Sequence, residues 1–194
     1  MPNYRMHYSK DSAALAVDAQ FFFGSSILVS PVTQQGATSV EFYLPKDIFY
    51  DLFTQTRVQT TGTKVTYNNL STADIPVHIK GGSILPMRIE SANTTTALRT
   101  KDFELVIAPN ADGNAKGSLY LDDGVSIEQG AISEIEFSFD NNTISADGSF
   151  AFDAGVKVKS VTLLGEGEAA KYELNENLSR AWKHNVGSLK KIGS

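Results

Sequence analysis

The chain has 194 residues, of which 41% are hydrophobic and 20% charged, and this composition is typical of a globular protein with one large domain or two small ones. The net charge of -5 provides no basic field for nucleic acid or anionic lipid, so we expect no nucleic-acid partner. The sequence has no cysteine, which excludes disulfides and thiolate metal sites, and no run of the ~18 apolar residues that a membrane helix needs, so we expect no membrane partner.

The first twenty residues predict one short helix. Four alanines between residues 13 and 19 favour a helix, and Ser9 or Asp11 can cap its start. The opening residues, MPNYRMHYSK, lack the apolar run of a signal peptide, so no signal peptide is predicted in this chain.

Strands are predicted from residue 21 to residue 88. The run FFFGSSILVSPV indicates two buried strands around a Gly-Ser-Ser turn, and residues 38–45 alternate with period two. Residues 46–70 are rich in aromatic and β-branched side chains, and IPVHIKGGSILPMR places two further strands around Gly81 and Gly82.

The second half of the chain repeats this pattern after a polar connection over residues 90–102. Short strands and turn signals follow one another regularly, and a loop rich in Gly, Asn and Asp joins the first two. The predicted fold class is therefore all-β, with two antiparallel β-sandwiches and a short helix near the N-terminus. We place the short helix in residues 1–20, one sandwich at 21–100 and the other at 101–194.

The glycine pair has two interpretations. Gly81 and Gly82 lie beside His78, Lys80 and Arg88, as an anion cradle would require. However, a strand with a proline follows them instead of a helix, which favours a bulge or tight turn. Strand alternation puts His78 and Lys80 on one face, so we expect His78 to be half-exposed.

Adjacent carboxylates at Asp122 and Asp123 are candidates for a metal site. Neighbouring residues of a strand point to opposite faces, so an Asp-Gly turn with Gly124 is the favoured interpretation. The three histidines are scattered without metal-binding spacing, and no Ser/His/Asp triad emerges. We therefore assign no catalytic residue and no cofactor from these motifs. Asp and Glu are abundant, so a catalytic carboxylate pair that forms only in the folded chain stays open.

Exposed aromatic rings can stack on the C–H faces of sugars. Trp182 lies in a polar stretch, and Tyr50 and Tyr120 lie in predicted strands, so these three are the carbohydrate-binding candidates. The alternative for each is a place in the core or in a cross-strand pair.

Four sequons for N-linked glycosylation begin at Asn69, Asn93, Asn141 and Asn177, where chance predicts one or two. They favour passage through the secretory pathway.

Four blocks of the sequence resemble the C-terminal region of fungal α-glucosidases of glycoside hydrolase family 31. They are FFFGSSILVSPV, TSVEFYLPKDIFYDLFT, IPVHIKGGSILPMR and DFELVIAPNADGNAKGSLYLDDG, and the resemblance extends from about residue 4 to about residue 164. It implies a proximal β-sandwich at residues 21–100 and a distal one at 101–194, beside a catalytic (β/α)₈ barrel. Residues 4–20 resemble the tail of that barrel, so the resemblance implies that residues 1–20 are a barrel remnant. The catalytic aspartates of the family lie in the barrel, and no residue here matches them.

Three positions depart from the family pattern. Ser25 stands where an acidic residue is usual, Gln55 where a glycine is expected, and Val125 where a glutamate follows Asp-Asp-Gly.

Two non-catalytic functions are favoured over a third hypothesis, that the chain is an enzyme in its own right. The first is a carbohydrate-binding, lectin-like module that binds a glucoside or another glycan. The alternative is a structural fragment or subunit of an α-glucosidase, active only with a catalytic-barrel partner chain, or associating with itself. The resemblance implies an extracellular or secreted protein.

Overall fold

The computed structural model describes residues 7–128 and 130–193 and divides the chain into two compact units, Met1–Gly81 and Gly82–Ser194. The first six residues of the predicted barrel remnant therefore lie outside the described residues.

The first unit contains a short helix and seven strands in its described residues. The helix α1 spans Ser12–Leu15, and the strands are β1 Phe21–Phe23, β2 Ile27–Val29, β3 Ser39–Leu44, β4 Ile48–Asp51, β5 Arg57–Gln59, β6 Thr63–Asn68 and β7 Val77–Lys80. Five of them form an antiparallel sheet in the order β1-β2-β7-β4-β5, and β3 pairs with β6 in a separate two-stranded sheet.

The core of the first unit joins α1 to both sheets. Its buried side chains are Ala14, Phe22, Leu28, Phe42, Leu44 and Phe49. The carboxylate of Asp11 accepts hydrogen bonds from the amides of Ala13 and Ala14, so the predicted helix cap is confirmed.

The FFF run, which forms the edge strand β1, is less buried than predicted, because only one face of this strand packs against the core. Phe22 is fully buried, but Phe21 and Phe23 point to the other face and are 41% and 59% exposed. The alternation of a strand leaves two of the three rings in solvent.

The second unit contains eight strands in its described residues, all in one sheet. They are β8 Ser83–Arg88, β9 Phe103–Ala108, β10 Ala115–Leu121, β11 Ser133–Asp140, β12 Thr143–Phe150, β13 Lys157–Leu163, β14 Ala170–Asn177 and β15 Trp182–Asn185, in the order β14-β13-β9-β8-β10-β11-β12-β15. A one-turn helix α2, Thr95–Arg99, lies between β8 and β9, within the connection predicted to be irregular.

Parallel pairing occurs at two places in this otherwise antiparallel sheet. β9 pairs with β13 over several residues, and β8 meets β10 only at Ser83 and Lys116. At that short contact the backbones approach closely, because a Cβ atom on Gly117 would lie 2.1 Å from the carbonyl oxygen of Ile84.

The all-β fold class is confirmed, while the division into units differs from the predicted boundary. The predicted cut near residue 100 falls between α2 and β9, whereas the observed division falls at Gly81/Gly82. The physical reason is the pairing of β8, which contributes six residue pairs to β9 and therefore belongs to the second sheet.

Candidate functional site

The glycine pair is a turn in which the backbone amides are already used. Gly82 has φ 89°, a conformation that favours glycine, and its N–H donates to Ala108 O at 2.7 Å. The N–H of Gly81 donates to Ile48 O at 2.8 Å. With both amides paired to carbonyls, the pair offers no cradle for an anion.

Two of the three carbohydrate candidates lie in the core. Trp182 is 8% exposed and packs 6.2 Å from Phe137, because the alternation of β15 turns it inward while Lys183 is exposed. Tyr50 is buried in β4, a strand with no exposed residue. Tyr120 is 44% exposed and is the one ring of the three that solvent reaches.

The carboxylates of Asp122 and Asp123 engage different partners. Asp122 forms an ion pair with Arg99 at 3.0 Å, while Asp123 accepts hydrogen bonds from the amides of Val125 and Ser126 in a turn where Gly124 has φ 67°. The Ser126 hydroxyl and these amides lower the pKa of Asp123 to about 2. Within residues 7–128 and 130–193, no group of three or more His, Asp or Glu side chains is placed to hold a metal ion.

His78 lies at the centre of a buried polar network in the first unit. It is fully buried, which corrects the expectation of half-exposure, because β7 is a central strand between β2 and β4. Its Nε2 lies 3.1 Å from the hydroxyl of Tyr67, and that hydroxyl donates to Asp51 Oδ2 at 3.1 Å. Three strands, β4, β6 and β7, each contribute one member.

Hydrogen-bond geometry assigns the tautomer of His78. The Tyr67 hydroxyl has one proton, which it donates to Asp51, so it accepts from His78 and the ring proton sits on Nε2. The other nitrogen, Nδ1, is buried and has no hydrogen-bond partner among the described residues.

Burial sets the ionisation of this network. It lowers the pKa of His78, against the smaller opposing effect of the Asp51 charge, so the imidazole is neutral near pH 7. The pKa of Tyr67 is raised to about 12, chiefly by burial and secondly by the negative charge of Asp51.

The same aspartate shapes the loop after β4. Its Oδ1 accepts hydrogen bonds from the amides of Phe53 and Thr54, at 2.9 and 2.8 Å. These bonds hold a tight turn in which Gln55 adopts φ 57°, the conformation that favours the glycine expected at this position.

A cleft of about 280 Å³ opens beside this loop. Its walls are mainly apolar, and Asp51, Thr54, Tyr67 and Asp74 add polar groups. Phe53, at 72% exposure, presents its ring to solvent at the cleft. An apolar cleft with a few polar groups of shifted pKa is the arrangement typical of small-molecule sites.

Sequence reasoning missed this cleft. Asp51, Tyr67 and His78 are separated by 11 to 27 positions, and no local spacing indicates that they meet. Only Phe53 carried a local signal, since it is an aromatic residue in a polar turn.

A model of the glycosyl hydrolase family 31 C-terminal domain matches residues 1–85 of this chain. The probable alpha/beta-glucosidase of Aspergillus flavus is 52% identical over 161 residues, which cover 83% of this chain and 18% of that protein. The probable alpha/beta-glucosidase of Arthroderma benhamiae is 44% identical over 187 residues, covering 95% of this chain and 22% of that protein. The chain thus spans about a fifth of the length of these relatives.

Solved structures of glycosidases also match the fold of this chain. A heterodimeric complex of ER glucosidase II, consisting of the catalytic subunit and the binding domain of the regulatory subunit, matches with a TM-score of 0.76 and 26% identity. The match covers 98% of this chain and 24% of that one. A family 31 α-xylosidase from Xanthomonas citri shares the fold, with a TM-score of 0.69 at 20% identity.

Proposed function

We propose a non-catalytic function for this chain, which carries a glycoside hydrolase family 31 C-terminal domain and corresponds to the C-terminal region of fungal α-glucosidases. In this proposal it is an accessory region that packs against the catalytic part of such an enzyme and stabilises it. The supporting observation is an exposed apolar set in the first unit: Leu15 on α1 and Phe21 and Phe23 on the edge strand β1. Edge strands with exposed rings are typical of surfaces that a partner covers.

The test combines the chain with the remaining, N-terminal part of the Aspergillus flavus relative. Hydrolysis of p-nitrophenyl α-glucoside is expected from the mixture and not from the chain alone. Phe23→Ser should weaken association of the two parts, whereas Phe53→Ser, which removes a still more exposed ring at the cleft, should leave it unchanged. Hydrolysis by the chain alone, or equal weakening by both variants, would refute the proposal.

The cleft supports carbohydrate binding as a second function. Phe53 offers an exposed ring for the C–H face of a pyranose, and Asp74 and Thr54 offer polar atoms for its hydroxyls. We therefore propose Phe53 as the sugar contact, and not Trp182 or Tyr50, which are buried.

Titration of the isotope-labelled, bacterially produced chain with methyl α-glucoside and maltose tests this second function. Millimolar sugar should shift the resonances of residues 53–54 and 70–76, and Phe53→Ala should abolish those shifts. Tyr120→Ala, which removes an exposed ring outside the cleft, is the control and should leave them unchanged. Resonances that stay in place at millimolar sugar would exclude the cleft as a sugar site.

A further inference from the structure

The four sequons are motifs that neither proposed function uses. Their asparagines, Asn69, Asn93, Asn141 and Asn177, are all exposed, and each lies in a turn, in a connection or at the last residue of a strand. A branched glycan attached at such a position displaces no side chain of the core.

Two of these sequons expose both groups that glycan transfer requires. The acceptor is the amide of the asparagine, and the hydroxyl two residues later is the second requirement of the motif. At Asn69 and Ser71, and at Asn93 and Thr95, both residues are exposed. Asn69 follows β6 directly, and Asn93 lies just before the Thr94 cap of α2.

The other two sequons have less accessible hydroxyls. Thr143 is half-buried in β12, and its hydroxyl donates to the carbonyl of Asn141 at 3.3 Å. Ser179 is half-buried too, and the residue between Asn177 and Ser179 is Leu178, which belongs to the core of the second unit. The hydroxyl groups of these two sequons are therefore less accessible for glycan transfer than those of the first two.

We propose that Asn69 and Asn93 are sites of N-linked glycosylation, with lower occupancy at Asn141 and Asn177. In the reaction, the side-chain nitrogen of asparagine forms a bond to C1 of the first N-acetylglucosamine of a lipid-diphosphate-linked oligosaccharide. The bond from C1 to the diphosphate oxygen breaks, the lipid diphosphate leaves, and the asparagine nitrogen loses one proton to a base. The proposal requires export through the secretory pathway, which is independent of either proposed function.

Asn69 also marks the rim of the cleft. Tyr67 precedes it by two residues and Leu70 follows it directly, and both line the cleft. A glycan at Asn69 therefore begins beside the candidate sugar site, whereas a glycan at Asn93 lies in the second unit.

The experiment is secretion of the full chain from a yeast host behind a secretion signal, followed by intact-mass measurement before and after treatment with an N-glycosidase. We expect a mass loss equal to at least two glycans. Peptide mapping should find the asparagine-to-aspartate conversion that the enzyme leaves at residues 69 and 93. Asn93→Gln and Thr95→Ala should each remove the same single glycan, and Asn69→Gln and Ser71→Ala the other.

The hydroxyl variants keep the asparagine and so separate glycan loss from any effect on folding. A secreted chain whose mass does not change on N-glycosidase treatment would overturn the proposal. Occupancy at Asn141 and Asn177 with residues 69 and 93 unmodified would overturn it as well. A refuted sugar titration or association assay would leave these outcomes untouched, because they measure covalent modification alone.

Discussion

At the scale of the residue, Gln55 is held in a backbone conformation that suits glycine. Its φ of 57° is imposed by the turn that Asp51 caps, with the amide of Gln55 donating to Asp51 O at 2.9 Å. A left-handed conformation costs a non-glycine residue roughly 1–2 kcal/mol, and glycine loses about 0.5–1 kcal/mol more backbone entropy on folding.

We therefore expect Gln55→Gly to raise the free energy of unfolding by about 0.5–1 kcal/mol. Urea unfolding followed by tryptophan fluorescence or circular dichroism measures the change. Thr54→Gly, at a neighbouring residue without positive φ, should lower the stability instead. A Gln55→Gly protein that is less stable than the parent would show that the Gln55 side chain contributes more than the backbone strain costs.

His78 should make the stability of the protein depend on pH. Burial lowers its folded-state pKa below the ordinary value of 6.5, so between the two values the unfolded state binds more protons. The contribution of His78 to the free energy of unfolding is therefore fully present above pH 6.5 and is lost as the pH falls from 6.5 through the folded-state pKa. The loss is about 1.4 kcal/mol for each pH unit by which the folded-state pKa lies below 6.5.

Urea unfolding between pH 7.5 and pH 5 tests this expectation. His78→Gln should reduce the slope of the free energy of unfolding against pH. His7→Gln is the control. Burial lowers the pKa of His7 as well. The His7 variant should therefore remove only the contribution of His7 to the pH dependence and leave that of His78 in place. An unchanged slope in His78→Gln would mean that His78 does not carry the pH dependence.

At the scale of the element, the contact between β8 and β10 depends on the absence of a side chain at residue 117. A Cβ atom there would lie 2.1 Å from a backbone oxygen of Ile84, and backbone cannot move aside as a flexible side chain can. Overpacking of this kind costs roughly 1–3 kcal/mol.

Gly117→Ala is expected to destabilise the protein by roughly 1–3 kcal/mol and so to lower the midpoint of thermal unfolding. Gly165→Ala is the matched control, because a Cβ atom at residue 165 meets no atom within 4 Å, and it should change the stability by no more than about 0.5 kcal/mol. Equal stability of the two variants would show that the strands can separate at no cost.

At the scale of the whole molecule, the boundary between the two units can be tested with fragments. A fragment of residues 82–194 retains β8, while a fragment of residues 101–194, cut at the predicted boundary, loses it. Without β8, the edges of β9 and β10 that it covers are left unpaired.

We expect the fragment 82–194 to give a dispersed amide NMR spectrum and a cooperative thermal transition, and the fragment 101–194 to give neither. If the shorter fragment folds as well as the longer one, β8 is dispensable and the boundary lies where the composition changes.

Local rules alone determined the all-β class, the Asp11 cap, the Asp-Gly turn at residues 123–124 and the glycine turn at residue 82. Each depends on residues within a few positions of one another, so their chemistry can be read along the chain. The four blocks of sequence also indicated the resemblance to glycoside hydrolase family 31, although none of them indicated the cleft.

The tertiary structure alone decided which faces are covered. Alternation predicts that a strand has two faces, but the position of that strand in the sheet and the layer stacked on it decide which face is buried. For that reason Trp182 is buried although it lies in a polar stretch, and His78 is buried although it is itself polar. Phe23 is exposed although it belongs to an apolar run. The meeting of Asp51, Tyr67 and His78 depends likewise on three strands whose pairing partners are distant in sequence, which no local pattern encodes.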